Sequence, residues 1–307
     1  MKVLIFGGTG WVGHHIALEL ISHKYDVTVA TRGQKAENYQ FPLPSGVRRV
    51  IIDKNDENSM KELLAEKFEI IIDSVPGLKS IANIFKYAAG LRHYLHCSST
   101  GGYAPLPFVP CNETAPYPGG SCNAWGGKGA VDSEVMRLFN VSGFPATVIR
   151  PCYITGGADR FPLDNYGDRR EDFIPDLMTG KVIEVPNDGK SLLQPIHVAD
   201  LAASFRLAIE NRRSIGERYN ICLEHALTLD DYVQLNAEAV GHKAIIKHVP
   251  LEELLARNLY NEVGLRFVAE HMCFTIEKAR SEIGYVPKYT PEEAIVETAR
   301  AIAAKLK

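Results

Sequence analysis

The residues with the most definite chemistry are glycines. Gly7, Gly10 and Gly13 stand in GxxGxxG spacing within Gly7-Gly8-Thr9-Gly10-Trp11-Val12-Gly13, directly after the apolar run of residues 2–6. A first glycine allows a tight turn, a middle one lets backbone approach a pyrophosphate, and a third lets the following helix sit close to the strand. The free N–H groups at that helix start then face the phosphates. Gly7, Thr9, Gly10, Trp11, Val12 and Gly13 are therefore candidate contacts for a dinucleotide. The second apolar run ends in Thr31-Arg32, where an NAD-preferring site would place an acid for the ribose hydroxyls. Nothing there repels a 2′-phosphate, and the Arg32 guanidinium can grip one, so the expected cofactor is NADP(H) rather than NAD(H). The bland alternative makes Arg32 a solvated loop residue. Asp53, after the third run, is placed to approach the adenine amine or simply to cap a helix. Ser74 and Val75, after the fourth run, complete the cofactor-side candidates.

These residues need strands behind them and helices in front. Residues 2–6, 26–30, 47–52, 69–73, 93–98 and 146–150 read as strands, several of them continuously apolar, as in parallel strands covered on both faces. Helical patterns fall near 11–23, 57–67, 79–90 and 127–142. Strict alternation predicts an α/β fold, a Rossmann-type doubly wound parallel sheet. After Arg150 the rhythm breaks. Residues 156–175 are an irregular stretch rich in Gly, Pro, Asp and Arg, followed by a short helix in IPDLMTG. A short strand and helix occupy 194–211, another strand 217–222, and helices recur near 228–240, 251–258, 275–283 and 291–305. The expected organisation is a dinucleotide-binding domain at 1–155, with a return segment at about 190–222. Residues 156–189 and 223–307 form a smaller, interleaved C-terminal substrate lobe.

The chain has 307 residues, 46% hydrophobic and 23% charged, with net charge −3, pI about 6.4 and mean hydropathy −0.10. These values suit a globular protein with a sizeable core and offer no surplus of basic residues for a general nucleic-acid grip. No run approaches a membrane span, and MKVLIFGGTG reads as a first strand rather than a signal peptide. The six cysteines, at 97, 111, 122, 152, 222 and 273, lack CxxC or zinc spacing. No metal site is expected, and the thiols read as reduced, mostly buried residues of a cytoplasmic protein.

The glycine turn, Ser98-Ser99-Thr100-Gly101-Gly102-Tyr103, Arg150-Pro151 and Gln194 to Ala202 occur in an order that resembles the extended short-chain dehydrogenase/reductases, the sugar-nucleotide epimerase/dehydratase family. The resemblance covers nearly the whole chain. ATRG (30–33) and KGAVDSE (128–134) are similar to an atypical branch that includes chloroplast stem-loop RNA-binding proteins. It implies an oxidoreductase or epimerase working on a small polar substrate. Ser99 would hydrogen-bond the reacting oxygen, and Lys128 would sit beside the cofactor ribose. Tyr153 would lie near the nicotinamide, and His197 at the lobe junction. Arg160 and Arg169 would serve as diphosphate clamps, with an internal ion-pair network among the nearby acids as the alternative. Relatives form dimers through two helices per subunit, for which 79–90 and 127–142 are the counterparts, so a homodimer is an expectation.

One departure matters. The family's tyrosine and lysine stand in YxxxK spacing, which lowers the phenol pKa for proton exchange. None of the thirteen tyrosines has a lysine four residues later. With Lys128 as the family lysine, the tyrosine position holds Ala124; aligned on Glu134 instead, the pair becomes Gly126 and Ala130. Three readings stay open. Another group carries the proton, with Ser99, Lys128 and Tyr103 as candidates. The protein binds cofactor as a sensor or scaffold without turnover. Or it has moved to another activity, including RNA binding, which the charge balance disfavours. The long loop 101–126 reads as an active-site cover.

Overall fold

A computed structural model describes residues 1–33, 41–118 and 126–306. In chain order the elements are β1 (Lys2–Phe6), α1 (Trp11–Ser22), β2 (Asp26–Thr31), β3 (Arg48–Ile51), α2 (Glu57–Leu64), β4 (Ile70–Asp73), α3 (Leu78–Tyr87), β5 (His93–Cys97), α4 (Gly126–Ser142), β6 (Ala146–Pro151) and β7 (Tyr153–Thr155). They continue as α5 (Phe173–Met178), β8 (Val182–Pro186), β9 (Leu192–Leu193), β10 (Pro195–His197), α6 (Val198–Glu210), β11 (Arg218–Ile221), β12 (Leu227–Thr228), α7 (Leu229–Ala239), β13 (Ile245–Val249), α8 (Leu251–Ala256), α9 (Glu262–Ala269), α10 (Glu277–Ile283) and α11 (Pro291–Lys305).

Seven parallel strands form the main sheet in the order β11-β6-β5-β4-β1-β2-β3. The order reverses at β1, so the crevice beyond its carboxyl end is where such sheets bind ligands. Alternate strand residues feed two cores. Val3, Ile5 and Ile72 pack on α1, α6 and α10 through Ile16, Leu20, Phe205 and Ile283. Leu4, Phe6 and Ile71 pack on α2, α3 and α4 through Leu64, Ile84 and Val135. At roughly 1.5–3 kcal/mol for each fully buried aliphatic or Phe side chain, these two layers dominate the stability of the sheet. The doubly wound expectation holds, and each expected strand and helix of the first half is present to within three residues at its ends.

A third core belongs to the lobe, where α5, α7 and α11 enclose Phe173, Ile183, Tyr232 and Ile302. Here the structure adds elements that no pattern announced: β7 beside β10, and β8 paired in parallel with β13. The cysteine expectation needs correction as well. Cys152 and Cys222, at the adjacent ends of β6 and β11, are joined by a disulfide with Cα atoms 5.4 Å apart, while Cys97, Cys111 and Cys273 are free. Burial pushes the Cys97 and Cys111 thiols up to about 11, so neither is a nucleophile at neutral pH.

Candidate cofactor and active site

The glycine turn has the geometry a phosphate cradle requires. Gly7 lies at φ +77°, a region that side chains disfavour. A Cβ on Gly13 would run into the Gly7 carbonyl, so only glycine lets α1 start against the turn. Gly10 is the N-cap of α1 and supplies no side-chain cap, and no acidic residue stands in the first turn. The helix therefore presents uncapped amides and the unneutralised positive end of its dipole. A pyrophosphate fits that chemistry.

Around the turn, Thr9 and Thr31 hydroxyls lie 3.4 Å apart. Arg32 is exposed and makes no ion pair among the described residues, so its guanidinium is free to meet a ligand. Ser74 and Val75 adjoin Gly7 closely enough that a Cβ there would strike both. The Ser74 hydroxyl, however, donates to the Phe6 carbonyl at 2.8 Å. The corner they form is held by a residue that no motif signalled. Lys54 reaches buried Asp73 at 2.8 and 2.9 Å and also donates to the Val75 carbonyl. Asp53 is not a helix cap: Asp56 caps α2, while Asp53 is exposed and its carboxylate accepts from the Asn55 amide at 2.9 Å.

Ser99 and Lys128 both lie at the carboxyl end of β5. The Ser99 oxygen accepts from the Gly101 amide at 3.2 Å, which caps the short 3-10 turn at residues 100–103 and leaves the hydroxyl proton free to donate. Lys128, in the first turn of α4, donates to the Ser98 carbonyl at 3.3 Å. Ala124, Cys122 and Trp125 lie outside the described residues.

Tyr103 faces inward. Its hydroxyl accepts from Arg150 at 2.5 Å, and burial pushes its pKa up to about 12, which ends its candidacy for proton exchange. A second tyrosine, Tyr117, approaches the same strand end. Its hydroxyl donates to the Ser99 carbonyl at 2.6 Å and lies 3.1 Å from the Ser98 hydroxyl. Arg150 stacks on its ring at 3.7 Å, and Gly102 leaves the room, since a Cβ there would overlap the phenol. Burial raises the Tyr117 pKa, so it is a strut behind the strand end rather than a base. Arg150 is anchored in turn by Asp132 at 2.9 Å, and Asp132 by His96 at 2.6 Å, all three buried. No spacing in the sequence marked Tyr117 or Asp132.

The remaining candidates make contacts within the fold. The Tyr153 hydroxyl lies 2.9 Å from that of Tyr232 and accepts from the Leu163 amide at 2.8 Å, inside the lobe core rather than toward a nicotinamide. The Arg169 guanidinium lies between the Trp11 and Tyr153 rings, and donates to the Phe161 and Ile154 carbonyls at 2.5 and 2.6 Å. It ties the lobe to α1. Arg160 approaches the Trp11 ring at 6.0 Å and is likewise engaged. The nearby acids form the internal network: Arg170 pairs with buried Asp164 at 2.5 Å and with Asp172 at 2.9 Å. His197 accepts from the Ala199 amide at the start of α6, stacks on Tyr289 and meets Glu297 of α11 at 3.2 Å.

A reversing parallel sheet with a glycine cradle at its switch point defines a dinucleotide-binding α/β protein. Residues 3–222 match the NAD dependent epimerase/dehydratase family, and the chain belongs to it. It is 29% identical to the chloroplast stem-loop binding protein of 41 kDa b of Arabidopsis thaliana, over 97% of this chain and 78% of that one. It is 24% identical to a UDP-glucose 4-epimerase of Corynebacterium glutamicum, over 100% and 97% of the two chains. Among solved structures, UDP-glucose 4-epimerase of Thermotoga maritima superposes with a TM-score of 0.77 at 20% identity, covering all of both chains. A dTDP-glucose 4,6-dehydratase of Bacillus anthracis, in complex with NAD, superposes at 0.78 with 16% identity, over 99% and 97% of the chains. At such identities the structural likeness concerns the fold. No helix among the described residues is long and apolar enough to cross a membrane.

Proposed function

We propose that the protein binds NADP(H) in the glycine cradle and acts as a reductase or epimerase-type oxidoreductase on a small polar carbonyl or sugar-nucleotide-like substrate. The observation that carries this reading is the uncapped start of α1 above a turn that only glycines can form, with the free Ser99 proton nearby at the end of β5. Bound there, a nicotinamide cofactor supplies hydride exchange at its ring. The chain's own part is to hold and orient. The first-turn amides take the pyrophosphate, Arg32 takes a 2′-phosphate, Ser99 donates to the reacting oxygen, and Lys128 stands one residue away at the Ser98 carbonyl. The cytoplasm is the compartment we propose, although the Arabidopsis relative is by name chloroplastic.

Fluorescence titration tests the cofactor. NADPH emission should rise on binding, and Arg32→Ala should weaken NADPH by about 10–100-fold while leaving NADH nearly unchanged, the range expected for a charge-assisted contact. Equal loss for both cofactors refutes the phosphate role. A panel of sugar nucleotides, aldehydes and ketones then separates enzyme from sensor: tight cofactor binding with no substrate reduced favours the sensor. The stem-loop binding of the Arabidopsis relative supports a second reading, RNA binding, which requires salt-sensitive affinity for stem-loops. Affinity unchanged across a salt series removes it.

A further inference from the structure

The edge strand β11 gives Tyr219 and Ile221 to the core shared with α6 and α10. By the alternation of a strand, Arg218 and Asn220 face the other way, alongside their register partners Val148 and Arg150 on β6. On that face a cleft of about 410 Å³ opens between Glu113, Tyr117, Asp132, Ser133, Arg150 and Arg218. Its charges are unevenly matched. Arg150 is met by Asp132 at 2.9 Å and by the Tyr103 hydroxyl at 2.5 Å. The Glu113 carboxylate accepts from the Asn220 amide of the strand edge at 2.7 Å. Arg218 is half-buried, yet makes no hydrogen bond or ion pair among the described residues. Two residues on, the Asn220 side-chain amide is fully buried, and neither its oxygen nor its nitrogen has a partner among the described residues. Unmet polar groups in such places are costly unless something completes them.

We propose that this cleft is a binding site for a small organic carboxylate, with Arg218 as its ionic anchor. A guanidinium offers paired parallel N–H donors that match a planar carboxylate, and Arg218 is the cleft's one cation without a carboxylate partner among the described residues. The Tyr117 ring and Ala115 give a short carbon body an apolar wall. The volume lies toward the small end of ligand pockets, too small for a dinucleotide. The site is separate from the one proposed for the cofactor. Tyr117 stands between the cleft and the end of β5, and its hydroxyl holds the Ser99 carbonyl while the Ser99 hydroxyl serves the 3-10 turn.

Isothermal titration of the full chain with succinate, at low salt and neutral pH, tests this. Saturable binding of one succinate per chain is expected. Arg218→Gln should weaken it about tenfold or more, Arg218→Lys should fall between because the charge stays while the fork is lost, and Arg32→Ala should bind as wild type. Circular dichroism confirms that each variant folds, and the lysine variant decides if the glutamine one does not. Absence of saturable binding overturns the proposal, and so does equal affinity for wild type and the Arg218 variants. Binding of inorganic phosphate in place of succinate overturns the carboxylate assignment.

Discussion

Asp132 is the side chain on which the strand end behind the candidate site depends most. Its Oδ1 lies 2.6 Å from His96 Nε2, its Oδ2 lies 2.9 Å from Arg150 Nε, and all three residues are buried. Burial alone would raise the Asp132 carboxyl, but His96, Arg150 and Ser98 outweigh it and hold the group below the ordinary carboxylate range. Its stabilisation is therefore present above the unfolded value of about 3.9 and is lost only as pH falls through the lower folded value. Asp132→Leu removes the acceptor and strands the Arg150 charge away from water, a loss of about 3–5 kcal/mol. At about 2.1 cal/mol/K of unfolding entropy per residue, a chain of 307 residues turns that into a fall in Tm of about 5–8 °C. The pairing itself is isolated by a cycle with Arg150→Met. Replacing both partners by apolar side chains should recover about 2 kcal/mol or more relative to the sum of the single losses. Urea unfolding of the four proteins reads this directly. Single losses that simply add, within about 0.5 kcal/mol, would show that the carboxylate and guanidinium are not energetically coupled and would sink the reasoning.

Two further expectations follow from particular contacts. A Cβ at Gly13 meets backbone of Gly7 and Gly8, which cannot give way, whereas one at Gly10 only approaches the Gly7 carbonyl, at 3.3 Å. Gly13→Ala should thus lower Tm and abolish NADPH binding, while Gly10→Ala should fold near normally and bind weakly; a Gly13→Ala protein that titrates like wild type contradicts the cradle. Burial lowers His93 from 6.5 to about 4 in the folded protein. The unfolded chain takes up that proton first, so stability should decline by about 3 kcal/mol as pH falls from 6.5 to 4, and His93→Gln should flatten the decline in urea midpoints over that window.

Most of the sheet was legible because its strands are covered on both faces and read as unbroken apolar runs, as in Ile70–Asp73. The lobe strands lacked that signature. Ile245–Val249 is largely exposed, and its partner Val182–Pro186 lies some sixty residues away, so neither periodicity nor a turn residue marked the pair. The glycine turn was legible for a different reason: backbone crowding dictates the residue type, and that leaves a trace in the sequence. Lys54 and Tyr117 left none, because irregular loops bring them to Asp73 and Ser99. The carbonyl contacts of Arg169 left no trace either, because a guanidinium fork grips two carbonyls as readily as a diphosphate.

The same contrast explains why cofactor binding and turnover must be treated apart in this chain. A pyrophosphate cradle is made of backbone, so its integrity is visible in Gly7, Gly10 and Gly13 alone. A proton relay is made of side chains whose alignment depends on what surrounds them. Around Ser99 one tyrosine is committed to Arg150, another to the Ser99 carbonyl, and the pKa of each is raised by burial. Both phenols stabilise the end of β5, and neither suits the exchange of a proton near neutral pH. The strand end also carries the Ser99 hydroxyl, able to donate one hydrogen bond, with the Lys128 amine one residue away at the Ser98 carbonyl. On the function proposed above, that pair would polarise a substrate carbonyl oxygen, and the proton would come from solvent rather than from a phenol.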